Sequence, residues 1–348
     1  MRRITCSPAD ALTAGKAQCE DKARGAVSVL VALMMVVLLG FAALAVDVGA
    51  VYAEKAQLQN GADAAALAIA TDCAEGTCGS SAATGSQFAN SNANDNSSGA
   101  VVTFPAATRV RVVTNARDAR TGANSFSLMF ARVLGFQTAQ VGATAEATWG
   151  SPTSATTLPW TASECVFKKY LSPAQLASLN STGNFSGDPI PTHVTLRYDT
   201  NAPAVGGCVA QNGYQPGGFG WLETNSGCST DISISAVVIG QPGNHFPNGS
   251  TCNSVLAHIM DAPALIPLFK TAAQNGSKTK YTLVGFAAFQ VTGYKFDGGQ
   301  KLDPAAPSCT NNCRAIQGYF SRFVSLDEGS QATGGIPNYG ASVVTLTK

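Results

Sequence analysis

Asp231, Ser233 and Ser235 stand in the order D-x-S-x-S. With that spacing, one carboxylate and two hydroxyl oxygens can converge on a hard cation such as Mg²⁺, provided they sit at the end of a buried strand. The context opposes this, because Gly227 to Thr230 is not an apolar run and the motif continues into Ala236 to Gly240 with period-2 alternation. The segment therefore reads as a strand, and no metal site is expected. Two cysteine pairs, Cys73 with Cys78 and Cys309 with Cys313, have spacings near those of zinc ligands. His193, His245 and His258 lie in unrelated contexts. No nucleophile elbow, zinc-protease helix or phosphate-binding loop accompanies them. No catalytic residue and no cofactor is expected, so the chain reads as a non-enzyme.

The elements that must position these residues begin with an apolar segment. Ala26 to Val46, AVSVLVALMMVVLLGFAALAV, holds no charge and no proline over 21 residues. At about 1.5 Å per residue it spans roughly 31 Å, the thickness of a bilayer's hydrocarbon core. Arg2, Arg3, Lys16, Lys22 and Arg24 precede it, whereas Asp47 and Glu54 follow it with Lys55 as the one nearby cation. Positive charge stays inside, so the N-terminus is expected in the cytoplasm and everything after the helix outside it. Ala43-Leu44-Ala45 satisfies the small-x-small rule for signal-peptide cleavage. The apolar run exceeds a signal core, however, and the helical pattern continues past it, so a retained anchor is the better reading.

Composition agrees with export. Charged residues make up 12% of the chain, against about 25% in average proteins. The net charge of +1 gives no basic field for nucleic acid. Cys6 and Cys19 precede the anchor, and Cys73, Cys78, Cys165, Cys208, Cys228, Cys252, Cys309 and Cys313 follow it. An even number on the oxidising side favours disulfides over zinc. Adjacent pairing, 73 with 78 and 309 with 313, is expected. The three connectivities of the other four stay open.

Past the anchor, Val48, Val51, Lys55, Leu58, Ala62, Ala65 and Ile69 keep a 3-4 spacing that marks one face of a continuing helix. Alanine dominates its distal half, so its partner must approach closely there. That partner is expected to be the chain's own exported domain, with a helix of another subunit as the alternative.

Arg24 to Ala70 resembles the N-terminal module of TadG-like proteins of the TadE/TadG family. These proteins serve the tight-adherence machinery that assembles Flp pili. The residues that carry the resemblance are the basic start at Gly25, Asp47 and Gly49 in AVDVG, Leu58-Gln59-Asn60, and Ala62-Asp63-Ala64-Ala65-Ala66-Leu67. Pilins are usually processed after such a glycine and then carry Glu at the fifth mature position. Leu30 stands there, so cleavage at Gly25 is not expected. The resemblance implies a membrane-anchored pilus-assembly component whose partners are the lipid bilayer and other pilus-assembly or envelope proteins. An anchored surface adhesin or ligand-binding module is the alternative. Some family members carry a von Willebrand A domain whose metal site opens with D-x-S-x-S, and here the strand reading argues against one.

The expected fold class is α+β. Its parts are a basic cytoplasmic N-terminus (1–25), a transmembrane helix (26–46), and a long helix with a small α+β unit (47–150). A linker (151–159) and a β-rich exported domain with disulfides (160–348) follow. Within these, strands are expected at 101–104, 109–114 and 141–149, and a helix at 125–134 closed by Gly135. Ser172-Pro173-Ala174-Gln175 should open a short helix through a capping box. Further strands are expected at 193–198, 281–296, 317–326 and 342–346, and a helix at 252–260.

Overall fold

The computed structural model describes residues 20–348 except 185–191, 200–201, 203–204, 209–218, 226, 235, 242–251, 253–254, 256–257, 276–277, 297–298, 326–330, 334–336 and 348. One unbroken helix, α1 (Glu20–Ala74), runs for 55 residues, about 82 Å at the helical rise. Its composition explains its continuity, because alanine and leucine recur throughout and no proline interrupts it. Over residues 27–46 the side chains are solvent-exposed almost all the way round, and the most apolar window has a mean hydropathy of 3.0. A surface of that kind is suited to lipid.

The second half of α1 lies on a sheet. Helix α2 (Ser81–Asn92) turns back against it. Strands β1 (Ser98–Ala106) and β2 (Arg109–Ala116) follow as an antiparallel hairpin. A small hairpin, β3 (Phe126–Ser127) and β4 (Thr138–Ala139), encloses a 3₁₀ turn at Ala131–Leu134. The helix expected at 125–134 is therefore absent.

Strand β5 (Gly142–Thr157) is 16 residues long. Its first half pairs with β2, and its last residues run through the segment expected to be a linker. The N-terminal and C-terminal parts thus share one strand. The C-terminal strand β17 (Ala341–Leu346) confirms the connection by pairing with β5 at Ala147 to Gly150.

After β5 come β6 (Trp160–Ser163), α3 (Glu164–Lys169) and α4 (Pro173–Thr182). The capping box forms as expected, with Ser172 Oγ accepting from the Gln175 amide and Gln175 Oε1 from the Ser172 amide. The remaining strands are β7 (Val194–Arg197), β8 (Phe219–Trp221), β9 (Thr230–Ser233), β10 (Val237–Ile239), β11 (Ala264–Asn275), β12 (Lys278–Phe296), β13 (Gly299–Lys301), β14 (Ala315–Ser321), β15 (Phe323–Ser325) and β16 (Gln331–Thr333). Of the helix expected at 252–260, residues 253–254 and 256–257 lie outside the described residues, Cys252 and Val255 are helical, and residues 258–260 form a turn.

Two sheets result. One runs β1-β2-β5-β17-β15, with β9 and β16 on the far half of β5. The other runs β7-β14-β12-β11-β6-β8, with β10 and β13 on β12. The second sheet holds an aromatic core that includes Trp160, Phe167, Trp221, Phe289 and Phe320. The sulfurs pair as 73–78, 165–208, 228–252 and 309–313. The two cysteine pairs with spacings near those of zinc ligands are therefore bonded within themselves.

Candidate functional site at the helix–sheet seam

The face of β2 toward α1 presents Val110 and Val112, and that of β5 presents Ala145 and Ala147. These meet Ala62, Ala65, Ala66, Ile69 and Ala70 of the helix, each 0% exposed. Small side chains on both surfaces let the helix backbone lie close to the sheet, and close packing excludes water from the whole seam. Val344 of β17 completes the floor from the far end of the chain. The alanine stripe is thus covered by the chain's own sheet, and the alternative of a partner helix on this face is not realised. Of the expected stripe, Leu58, Ala62, Ala65 and Ile69 are buried, whereas Val48 and Lys55 are exposed.

Polar groups fix the register of the helix. Thr114 Oγ1 donates to the Leu58 carbonyl at 2.9 Å. Gln59 Nε2 donates to Asp63 Oδ1 at 2.8 Å, one helical turn on, and to the Thr144 carbonyl at 3.3 Å. On the flank, Gly61 lets α2 approach, because a Cβ there would meet the Ala89 Cα at 3.2 Å. Arg322 donates to the Ala74 carbonyl at 3.3 Å, where a cation complements the helix C-terminus. The Cys73–Cys78 disulfide closes the same end.

Asp47 anchors the other end. It is the first residue after the apolar run, yet it is only 5% exposed. Its Oδ1 accepts from the Met129 amide at 2.9 Å, and Oδ2 from the Phe130 and Ala131 amides at 2.9 and 2.6 Å. A buried carboxylate with three amide donors is satisfied, and such charge-assisted bonds are strong. The three donors are the amides at the start of the 3₁₀ turn, so Asp47 caps from 82 residues away a turn whose own capping residue, Phe130, makes no side-chain cap.

The other residues of the module divide by position. Asn60 is exposed, and Ala64 and Leu67 are half-buried at the edge of the seam. Gly25 lies within α1. Gly49 faces open space and has no steric reason to be glycine.

The candidates for chemistry fall elsewhere and do not converge. Asp231 is exposed on β9, where its Oδ1 accepts from Thr156 Oγ1 of β5 at 2.6 Å, and Ser233 shares that strand. Ser235 lies outside the described residues. Among the described residues no group of three His, Cys, Asp or Glu side chains could hold a metal. His193 Nδ1 lies 2.5 Å from Asp303 Oδ2, and Thr292 donates its hydroxyl to that same oxygen. A nucleophilic relay needs the hydroxyl on the imidazole, but here both groups converge on one carboxylate. Burial opposes ionisation of Asp303, but bonds from His193, Thr292 and the Ala305 amide outweigh it and hold the carboxyl below its ordinary range. The cluster fastens the loop after β13 to the sheet. His258 pairs with Asp261 at the surface, and His245 lies outside the described residues.

The arrangement defines a long helix, apolar enough at one end to cross a membrane and packed at the other on an α+β body. Residues 25–72 match the model of the Tad family, described as Flp pilus-assembly TadE/G-like. No curated protein and no solved structure matches the chain. The matched stretch stops at Asp72, just short of Cys73 and Ala74, the last helix residues of the buried seam. Sequence reasoning found the module residues but missed the amides of Met129, Phe130 and Ala131. The available signal was Asp47 itself, an acidic group at the edge of an apolar run with no nearby cation except Lys55.

Replacing Asp47 with Ala would leave these three amides without their acceptor. Hydrogen exchange at Met129, Phe130 and Ala131 should then speed up by roughly tenfold or more, as expected for buried donors stripped of a partner. Asp47→Asn, which keeps one carbonyl acceptor, should show a smaller effect.

The neighbouring loop should respond to acid. Asp118 accepts from the Thr121 amide and hydroxyl, Ser127 Oγ and the Arg120 amide. These bonds, the Thr121 amide first, lower its carboxyl from 3.8 to about 2. A pKa depressed in the folded state gives stabilisation that is full above the unfolded value and lost as pH falls through the folded one. Protection of the Arg120 and Thr121 amides, measured against their intrinsic exchange rates at each pH, should therefore be full at neutral pH and fall between pH 3.8 and about 2, whereas Asp118→Ala should show little protection at any pH.

Proposed function

We propose that this chain is a membrane-anchored, non-enzymatic component of Flp pilus assembly. Residues 26–46 span the membrane, the basic N-terminus is cytoplasmic, and the body from Asp47 onward lies outside the cytoplasm. The observation that carries the reading is the match of residues 25–72 to the pilus-assembly family, over a stretch that includes both the apolar half of α1 and the buried half that joins it to the sheet. The charge asymmetry across the apolar run supports the orientation. Four disulfides among the eight distal cysteines suit an oxidising compartment. The partners of the anchor are lipids, and those of the body are other pilus-assembly or envelope proteins.

Deletion of the gene, followed by electron microscopy of surface pili, tests this function. Loss of pili, restored by the intact chain, is the expected result. Normal pili with impaired attachment would instead favour the adhesin reading.

A further inference from the structure

The tip of the β3–β4 hairpin exposes an unusual set of side chains. Met129 is 72% exposed, Val133 91%, Leu134 61% and Phe136 65%, with Phe130 partly exposed beside them. Large apolar side chains gathered on so short a segment mark a contact surface. Arg132 is the one charged residue among them, and it is exposed.

The position of the tip along α1 identifies what covers it. At the hairpin base, Phe126 and Ala139 pack in one cluster with Val51 and Leu58 of the helix. At the tip, the amides of Met129 to Ala131 are bonded to Asp47. The step from Val51 back to Asp47 is about 6 Å along the helix axis, so the hairpin runs down α1 toward its apolar end. Asp47 directly follows Val46, the last residue of the uncharged run. The bonds to Asp47 thus hold the tip at the level where the hydrocarbon begins. Val46 and Val48 are exposed on either side of Asp47, and Tyr52, a ring suited to the bilayer interface, is exposed about one turn above.

From this we infer that residues 129–136 are a second membrane contact, a short apolar wedge that enters the lipid surface beside the anchor. The inference rests on the anchored reading given above. Methionine, valine, leucine and phenylalanine enter the boundary between headgroups and acyl chains, while the long Arg132 side chain keeps its charge among the headgroups. Two contacts, one spanning and one interfacial, would set the tilt of the body on the membrane, because Asp47 ties them together.

The test uses the full chain in nanodiscs of phosphatidylglycerol and phosphatidylcholine, the latter brominated in the upper part of its acyl chains. Tryptophan is placed at the tip (Phe136→Trp, and separately Val133→Trp), in the anchor (Leu44→Trp) or on distant β10 (Val237→Trp). Emission is read as the difference from the unsubstituted chain. Both tip variants should lose emission to a degree comparable with Leu44→Trp, while Val237→Trp keeps its emission. If the tip variants stay as bright as Val237→Trp while Leu44→Trp is quenched, the wedge is overturned and the anchor stands. If Leu44→Trp also escapes quenching, the anchored reading falls and the wedge falls with it.

Discussion

The close approach of α1 to its sheet is the constraint on which the rest of the molecule depends. A helix that leaves a bilayer has no intrinsic reason to hold a fixed direction. Here Ala62, Ala65, Ala66 and Ala70 meet Val110, Val112, Ala145 and Ala147 without a gap, and interiors packed at that density do not deform continuously. Larger side chains on either surface would lift the helix and disturb the bonds that fix its register, those of Thr114 to Leu58 and of Gln59 to Thr144. The seam also joins distant parts of the chain, since Val344 lies in its floor and Arg322 reaches the end of the helix. The C-terminal half is thereby built onto the long helix rather than tethered to it.

Asp47 completes this design at the membrane end. A carboxylate beside an apolar run is costly unless it is satisfied, and three backbone amides satisfy it. The same bonds hold the hairpin in place. One residue therefore ends the apolar segment and organises a turn against the helix.

Much of this was legible in the sequence, and the parts that were not share a cause. The apolar helix was plain because a run of 21 uncharged residues without proline admits few alternatives. The capping box at Ser172 was equally plain, being local. The buried stripe could be read from Leu58, Ala62, Ala65 and Ile69, but its partner could not, since Val344 lies 275 residues beyond Ile69 (344 − 69). The segment Ser151 to Pro159 has the composition of a linker, yet it is strand through Thr157 because β9 and β16 cover it. Pro152 is tolerated there beside a bulge in the pairing with β16. The helix expected at 125–134 gave way to a 3₁₀ turn because Asp47 draws the amides of residues 129–131 to itself, a long-range bond that local propensity does not register. Among the chemical candidates, Asp231 and Ser233 lie on β9, but the strand expected to run on into residues 236–240 is broken by a turn at Ile234 before β10 begins at Val237.

The most direct test of the seam compares two substitutions on the same helix by denaturant unfolding of the full chain in detergent. Ala65 is fully buried against the sheet and Ala56 is exposed. Ala65→Leu should overpack the seam and lower stability by about 1–3 kcal/mol. Ala56→Leu should change it by no more than about 0.5 kcal/mol. Equal and negligible effects at both positions would contradict the account, because they would mean that the helix does not rest on the sheet.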